Sequence, residues 1–148
     1  MSRSYSFRVP ASTSNLGAGF DALSLALERY LRVGLEIGTP ALEIISRGVD
    51  AHSITTTQDN LILRVANSVA SQRNRSLPAL RITIDNEIPL ARGMGSSAAA
   101  IIAGITCYEL AAEDRLSEAV ELIVDERGAK CSKPDNGIDV APRRPQSR

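Results

Sequence analysis

Aromatic side chains are scarce: the 148-residue chain has 3 Tyr, 2 Phe and no Trp. A stacking platform for single-stranded nucleic acid is therefore not expected. The single histidine, His52, and the two cysteines, Cys107 and Cys131, stand far apart and form no CxxC pair. That excludes a zinc site built from clustered ligands and a disulfide scaffold. Neither sign of charge is in excess, with 17 Lys+Arg against 17 Asp+Glu, which argues against nucleic acid or an anionic membrane as the main partner. The most apolar run, Ala98–Ile105, is too short to cross a bilayer, and Met1–Arg8 lacks the apolar core of a signal peptide. A reducing cytoplasm is the expected setting.

What is present is the composition of a soluble globular protein, 43% hydrophobic and 23% charged, in a length suited to one domain. Tyr5–Val9 predicts a short strand closed by Pro10, and Ala11–Asp21, small and glycine-bearing, predicts a loop leading into a helical Ala22–Glu28. Val33, Leu35 and Ile37 alternate with Arg32, Gly34 and Glu36, the period of a half-buried strand. Gly38-Thr39-Pro40 turns the chain, and Leu42–Ser46 follows as an antiparallel partner. After a polar loop over Asp50–Gln58 that includes His52, Asp59 is placed to cap a helix over Asn60–Gln72, with Leu61, Ile62, Val65, Ala66 and Val69 on one face. Leu80, Ile82 and Ile84 mark another strand. A glycine-rich loop, Pro89–Gly95, then opens a nearly all-apolar helix, Ser96–Ala112, of the kind found buried. The expected fold class is α+β, with helices on one mainly antiparallel sheet. Past Leu116 the pattern changes: Glu118–Asp125 suits a helix, and the last dozen residues are expected to be poorly ordered.

The chemistry concentrates in Pro89-Leu90-Ala91-Arg92-Gly93-Met94-Gly95-Ser96-Ser97-Ala98-Ala99. Glycines at 93 and 95 allow a backbone to approach a bulky anion. Ser96 and Ser97 bring hydroxyls to the place where a helix begins, and the free N–H groups of that first turn favour phosphate oxygens. Taken alone, a Gly-x-Gly-Ser is a turn followed by a helix start; here the whole string follows a strand and opens a buried helix. It is not a Walker loop, because no Gly-Lys-Ser/Thr closes it, nor a dinucleotide fingerprint, because the third glycine is missing.

This string resembles the ATP-binding motif of the GHMP kinases, the superfamily of galactokinase, homoserine kinase and mevalonate kinase. A second segment, Pro10-Ala11-Ser12-Thr13-Ser14-Asn15-Leu16-Gly17-Ala18-Gly19-Phe20-Asp21-Ala22-Leu23-Ser24, is similar to the opening of the homoserine kinases, with Ser24 where glycine is usual. A weaker likeness, Asp59-Asn60-Leu61-Ile62, is to the segment that meets adenine; a helix cap followed by core residues explains it equally well. The resemblance implies a two-layer α+β domain like domain 2 of ribosomal protein S5. It implies ATP along Pro89–Ala99 with Asn60 nearby, Mg2+ near Ser96 and Ser97, and L-homoserine held by Asn15 and Asp21. The implied reaction is phosphorylation of the L-homoserine hydroxyl, a step towards threonine; a homodimer is left open. Two readings stand beside it, a nucleotide-binding fragment without turnover and another GHMP-type kinase.

The resemblance covers residues 5 to 116, so the chain is divided into an ATP-binding domain, 1–116, and a divergent tail, 117–148. Where homoserine kinases present Glu-Gly-His-Pro-Asp-Asn-Val-Ala-Pro, with its magnesium-binding Glu, this chain has Cys131-Ser132-Lys133-Pro134-Asp135-Asn136 and, further on, Val140-Ala141-Pro142. A thiol is a poor ligand for a hard cation. The family's second domain, with its arginines for substrate and phosphate, has no counterpart. Truncation, a frameshift or degeneration of the gene would each explain this, and impaired turnover is expected.

Overall fold

The computed structural model describes residues 2–13, 25–116 and 139–142. Five strands form one sheet: β1 (Arg3–Thr13), β2 (Leu25–Ile37), β3 (Glu43–Gly48), β4 (Leu80–Asn86) and β5 (Asp139–Pro142), in the spatial order β3-β4-β2-β1-β5. Two helices, α1 (Leu61–Gln72) and α2 (Ser96–Ala112), cover one face: α2 lies over β1 and β2, and α1 packs against α2. This is the expected two-layer α+β architecture.

Alternation sorts the two faces of the sheet. Phe7, Val9 and Ala11 of β1, Leu31, Val33, Leu35 and Ile37 of β2, and Leu80, Ile82 and Ile84 of β4 are all buried under the helices. Burying such side chains contributes about 1.5–3 kcal/mol each before entropy is counted. The opposite face carries polar residues. Arg81 pairs with Glu36 and Glu43, and Arg8 and Arg32 lie over the Tyr30 ring at 4.5 and 5.3 Å. The helices meet at Gly104, where a Cβ would lie 2.6 Å from both the Ile62 carbonyl oxygen and Val65 Cβ. Glycine there sets how closely α1 and α2 approach.

Several elements depart from the sequence expectations. β1 does not stop at Pro10 but runs to Thr13, because the ladder shifts register between Pro10 and Ala11. A bulge is where a residue without an N–H is tolerated. On the side of Tyr30 that faces away from β1, its carbonyl accepts the Glu87 N–H at 2.9 Å and its N–H donates to the Glu87 carboxylate at 3.0 Å; Arg32 Nε donates to the same group at 3.1 Å. These two donors hold the Glu87 carboxyl below its ordinary range. Residues 25–28, expected to be helical, begin β2; pairing with β1 overrides their local propensity. β3 runs parallel to β4 and is not an antiparallel partner of β2. The turn after β2 is tied elsewhere, with the Gly38 and Thr39 N–H groups both donating to the Ala79 carbonyl, so β3, α1 and β4 form a crossover unit. The cap of α1 is Asn60 rather than Asp59. Within the last dozen residues, expected to lack order, Asp139–Pro142 pairs antiparallel with β1.

Candidate functional site

The loop between β4 and α2 is built from alternating left-handed residues: Ala91 (φ 54°), Gly93 (φ 69°) and Gly95 (φ 72°). Gly95 caps α2, and the first helical hydrogen bond runs from the Ala99 N–H to its carbonyl at 2.9 Å. Ser96, Ser97 and Ala98 precede that bond, so their N–H groups have no acceptor inside the helix. Nor is there a side-chain cap or an acidic residue in the first turn. Among the described residues no side chain of its own first turn compensates the positive end of the α2 dipole, which suits an anion.

The two glycines have different reasons. A Cβ at Gly93 would meet nothing within 4 Å. A Cβ at Gly95 would lie 2.5 Å from Ser12 Oγ and 3.0 Å from the Ser12 carbonyl oxygen. The space saved at Gly95 is therefore filled by the end of β1, a correction to the expectation that both glycines clear room for the anion. The Ser12 N–H donates to the Met94 carbonyl at 3.0 Å. The start of the Pro10–Ser24 segment thus sits directly on the loop.

A cleft of about 250 Å3 opens beside the loop. Leu90, Ser96, Ser97 and Ala100 line it from the loop and α2; Asp59, Asn60, Leu61 and Ile62 from the start of α1; and Ser53, Ile54 and Thr55 from the preceding turn. Leu31, Ile84 and Asn86 complete it from the sheet. Such a mix of apolar wall and a few polar groups is the usual make-up of a small-molecule site. Two separate stretches singled out in the sequence, Pro89–Ala99 and Asp59–Ile62, converge here. Ala99 itself is buried beneath the loop, whereas Ala91, Arg92, Gly93 and Ser97 are exposed and Pro89, Leu90, Met94 and Ala98 are intermediate.

Asn60 has a structural task in this wall. Its Oδ1 accepts from the Ile62 and Leu63 N–H groups at 3.0 and 3.4 Å, and its Nδ2 donates to the Thr55 carbonyl at 2.6 Å. The side chain is 3% exposed and holds the start of α1 against the cleft rim. Ser96, Ser97 and Asp59 are among the hard oxygen donors of the cleft, with Ser53 and Thr55 on its other side. No group of three or more His, Cys, Asp or Glu suited to a metal occurs among the described residues. The donors present fit a magnesium ion carried on phosphates better than a resident metal, since magnesium is commonly held by one or two protein oxygens and phosphate. Asn15, Asp21 and Cys131 lie outside the described residues, as does the segment expected to form a helix at Glu118–Asp125.

Sequence reasoning missed the residues that root the loop. Asn86, 2% exposed, donates through Nδ2 to the Val49 and Ile88 carbonyls at 2.8 Å and accepts the Ile88 N–H at 3.0 Å. Asp50 Oδ2 accepts the Leu90 N–H at 3.0 Å. The one local signal was the Asx-type spacing from Asn86 to Ile88.

Residues 60–142, more than half of the chain, match the family described as GHMP kinases N terminal domain. The chain belongs to the GHMP kinases. Among curated relatives, this GHMP kinase chain is 41% identical over 144 residues to a homoserine kinase of Solibacter usitatus, covering 93% of the chain and 43% of the relative. A homoserine kinase of Halalkalibacterium halodurans is 40% identical over 122 residues, covering 78% of the chain and 39% of the relative. A solved structure from Listeria monocytogenes, provisionally a homoserine kinase, superposes with a TM-score of 0.66 at 36% identity, covering 76% of this chain and 39% of that one. The chain spans about two fifths of the length of these relatives. The family match also runs past residue 116 to Pro142, through the end of β5. No helix among the described residues is long and apolar enough to cross a membrane.

Proposed function

We propose that this chain is the nucleotide-binding part of an ATP-dependent homoserine kinase. The observation that carries the reading is the convergence of Leu90, Ser96 and Ser97 with Asp59–Ile62 on one cleft at the uncapped start of α2. In this reading the adenine lies against the apolar wall of Leu31, Ile54, Leu61 and Ile84, and the phosphates meet the loop from Leu90 to Ser97. Magnesium bound with the ATP would rest near the Ser96 and Ser97 hydroxyls, with Asp59 in reach of the same cleft, and supplies charge neutralisation at the phosphates. The homoserine assignment draws on the Asn15–Asp21 signature and on the relatives. A carboxylate at Asp21 suits the substrate ammonium, and the Asn15 amide suits its hydroxyl or carboxylate.

The reaction joins the homoserine hydroxyl oxygen to the γ-phosphorus as the bond to the bridging oxygen breaks; ADP leaves and the hydroxyl proton passes to solvent. Phosphoryl transfer of this kind depends on positioning and charge neutralisation more than on a strong base. The product lies on the way to threonine, in the cytoplasm. Division of the chain at residue 116 is part of the same proposal, with β5 then a segment of the tail that returns to the sheet. The chain alone is proposed to bind ATP without efficient turnover, since the motif that carries the family's magnesium-binding Glu has Cys131 in its place.

Two measurements test this. ATP titrated into the chain should bind, while ADP release with homoserine and magnesium stays far below about 10 s⁻¹, a typical enzyme rate. A chimera that replaces residues 117–148 with a curated relative's Glu-bearing segment and supplies the remaining three fifths of that relative should phosphorylate homoserine in preference to galactose or mevalonate. In that chimera Asp21→Asn should raise KM for homoserine and spare ATP affinity; the reverse pattern would discard the acceptor assignment.

A further inference from the structure

The two walls of the cleft are joined by one residue that lies outside both signature segments. Asp50 has a left-handed backbone, φ 53° and ψ 25°, at the start of a single 3-10 turn, Ala51–Ser53. Its carbonyl accepts the Ser53 N–H at 2.9 Å, and Ser53, Ile54 and Thr55 line one side of the cleft. Its carboxylate at the same time accepts the Leu90 N–H at 3.0 Å from 40 residues away in sequence. Leu90 opens the loop and lines the other side. The turn that carries Asp50 is fixed in its own right. The Val49 N–H donates to the Asn86 carbonyl at 2.7 Å, and Gly48 packs so closely on the Asn86 backbone that no Cβ would fit.

We propose that Asp50 is a positioning residue that sets the spacing between the Ser53–Thr55 wall and the phosphate loop; this rests on the nucleotide-binding reading above. Aspartate suits the task on two counts. It tolerates a left-handed backbone better than most residues, and an ionised acceptor makes a stronger bond to a backbone N–H than a neutral one. Losing it frees the first turn of the loop on one side while the other end stays held by Ser12.

The test separates backbone from side chain. Asp50→Asn keeps both the left-handed tolerance and a side-chain acceptor, whereas Asp50→Gly keeps the backbone and removes the acceptor. ATP is titrated calorimetrically into the full chain and each variant, and exchange of the Leu90 amide is followed in parallel. ATP affinity should fall about tenfold in Asp50→Gly, as one charge-assisted hydrogen bond implies, with faster exchange at Leu90. Asp50→Asn, whose neutral acceptor keeps about half of that bond, should lose less, about threefold. If the glycine variant does not fold, Asp50→Ser, whose shorter side chain does not reach Leu90, replaces it in the comparison. Equal affinities in all folded variants would overturn the positioning role and leave the nucleotide reading standing. A loss as large in Asp50→Asn as in Asp50→Gly would overturn it too, because asparagine retains the acceptor. Failure of the parent chain to bind ATP would overturn the nucleotide reading and the role of Asp50 with it.

Discussion

At their carboxyl ends α1 and α2 are fastened together by polar side chains, whereas at their amino ends the two helices are treated unequally. At the carboxyl end Tyr108, fully buried, donates its hydroxyl to Asp114 Oδ2 at 2.6 Å. Arg73, the residue that ends α1, reaches the same carboxylate at 3.3 and 3.4 Å. Arg75 Nη1 donates to the Ala112 carbonyl at 3.1 Å, satisfying one of the carbonyls a helix end leaves open. The donors around Asp114, the Tyr108 hydroxyl foremost, hold its carboxyl below its ordinary range. At the amino end α1 is capped by Asn60, but α2 has no side-chain cap. The same helix pair thus has one end closed by its own side chains and one end of α2 left with unused donors beside a cleft. With glycine at the cap position in place of Ser or Asn, α2 gives up only about 0.3 kcal/mol of helix stability, and a place for an anion is left.

The comparison is broken most severely at Gly95. Valine there would meet Ser12 Oγ and the Ser12 backbone and would have to hold φ 72°. Overpacking and left-handed strain together should destabilise the fold by about 2–5 kcal/mol, and nucleotide binding should be lost in whatever fraction folds. Gly93→Ala is the control, because it meets nothing within 4 Å and carries only the strain of φ 69°, about 1–2 kcal/mol. Urea unfolding and ATP titration of both variants give the ranking. If Gly93→Ala proved as damaging as Gly95→Val, the contact with Ser12 would not be what makes Gly95 necessary.

The middle of α2 should answer to neither end. Cys107 is fully buried, and burial pushes its thiol from an ordinary 9.0 up to about 12. In the folded chain the thiol keeps its proton, while the unfolded chain releases it above 9.0. The associated stability is complete below that pH and is lost as pH rises towards the folded value, at up to about 1.4 kcal/mol per pH unit. Stability measured from pH 8 to 10 should therefore decline more steeply in the parent than in Cys107→Ala. Equal slopes would show that the thiol is not sealed in the folded state.

How much of this was legible from sequence follows from how local each signal is. The bounds of α2 were read correctly because Gly95-Ser96-Ser97 and the apolar run after it are contiguous. β4 was legible through its alternation, and α1 to within a residue at its start. The failures are non-local. Residues 25–28 look helical until β1 pairs with them, and β3 finds β4 only across α1. Likewise β5 joins a strand at the far end of the chain. The cleft could be anticipated only as two separate motifs. The braces that shape it, from Asp50 to Leu90 and from Ser12 to Met94, span 40 residues and more and leave no periodic trace.

The smallest expected effect sharpens the contrast from the closed end. Tyr108→Phe keeps the ring in the core and removes the one hydroxyl that reaches Asp114 from inside the helix pair. Asp114 keeps Arg73, so no charge is stranded, and the loss should be that of a single hydrogen bond, lowering Tm by about 5 °C. The acid limb should change as well. Because the folded Asp114 carboxyl lies below its ordinary 3.8, the stability it contributes is present above that pH and disappears as pH falls through the folded value. With the Tyr108 donor gone, that depression lessens and the variant should lose less of its stability than the parent on acidification. ATP affinity, by contrast, should stay within about twofold, since distant sites with no shared partners act nearly independently. Paired thermal melts at pH 7 and pH 3, with an ATP titration at pH 7, measure all three effects. A Tyr108→Phe protein that loses ATP affinity as well would show that the fastening at the carboxyl ends also sets the geometry of the open end, and the two ends of the helix pair could then no longer be treated as separate.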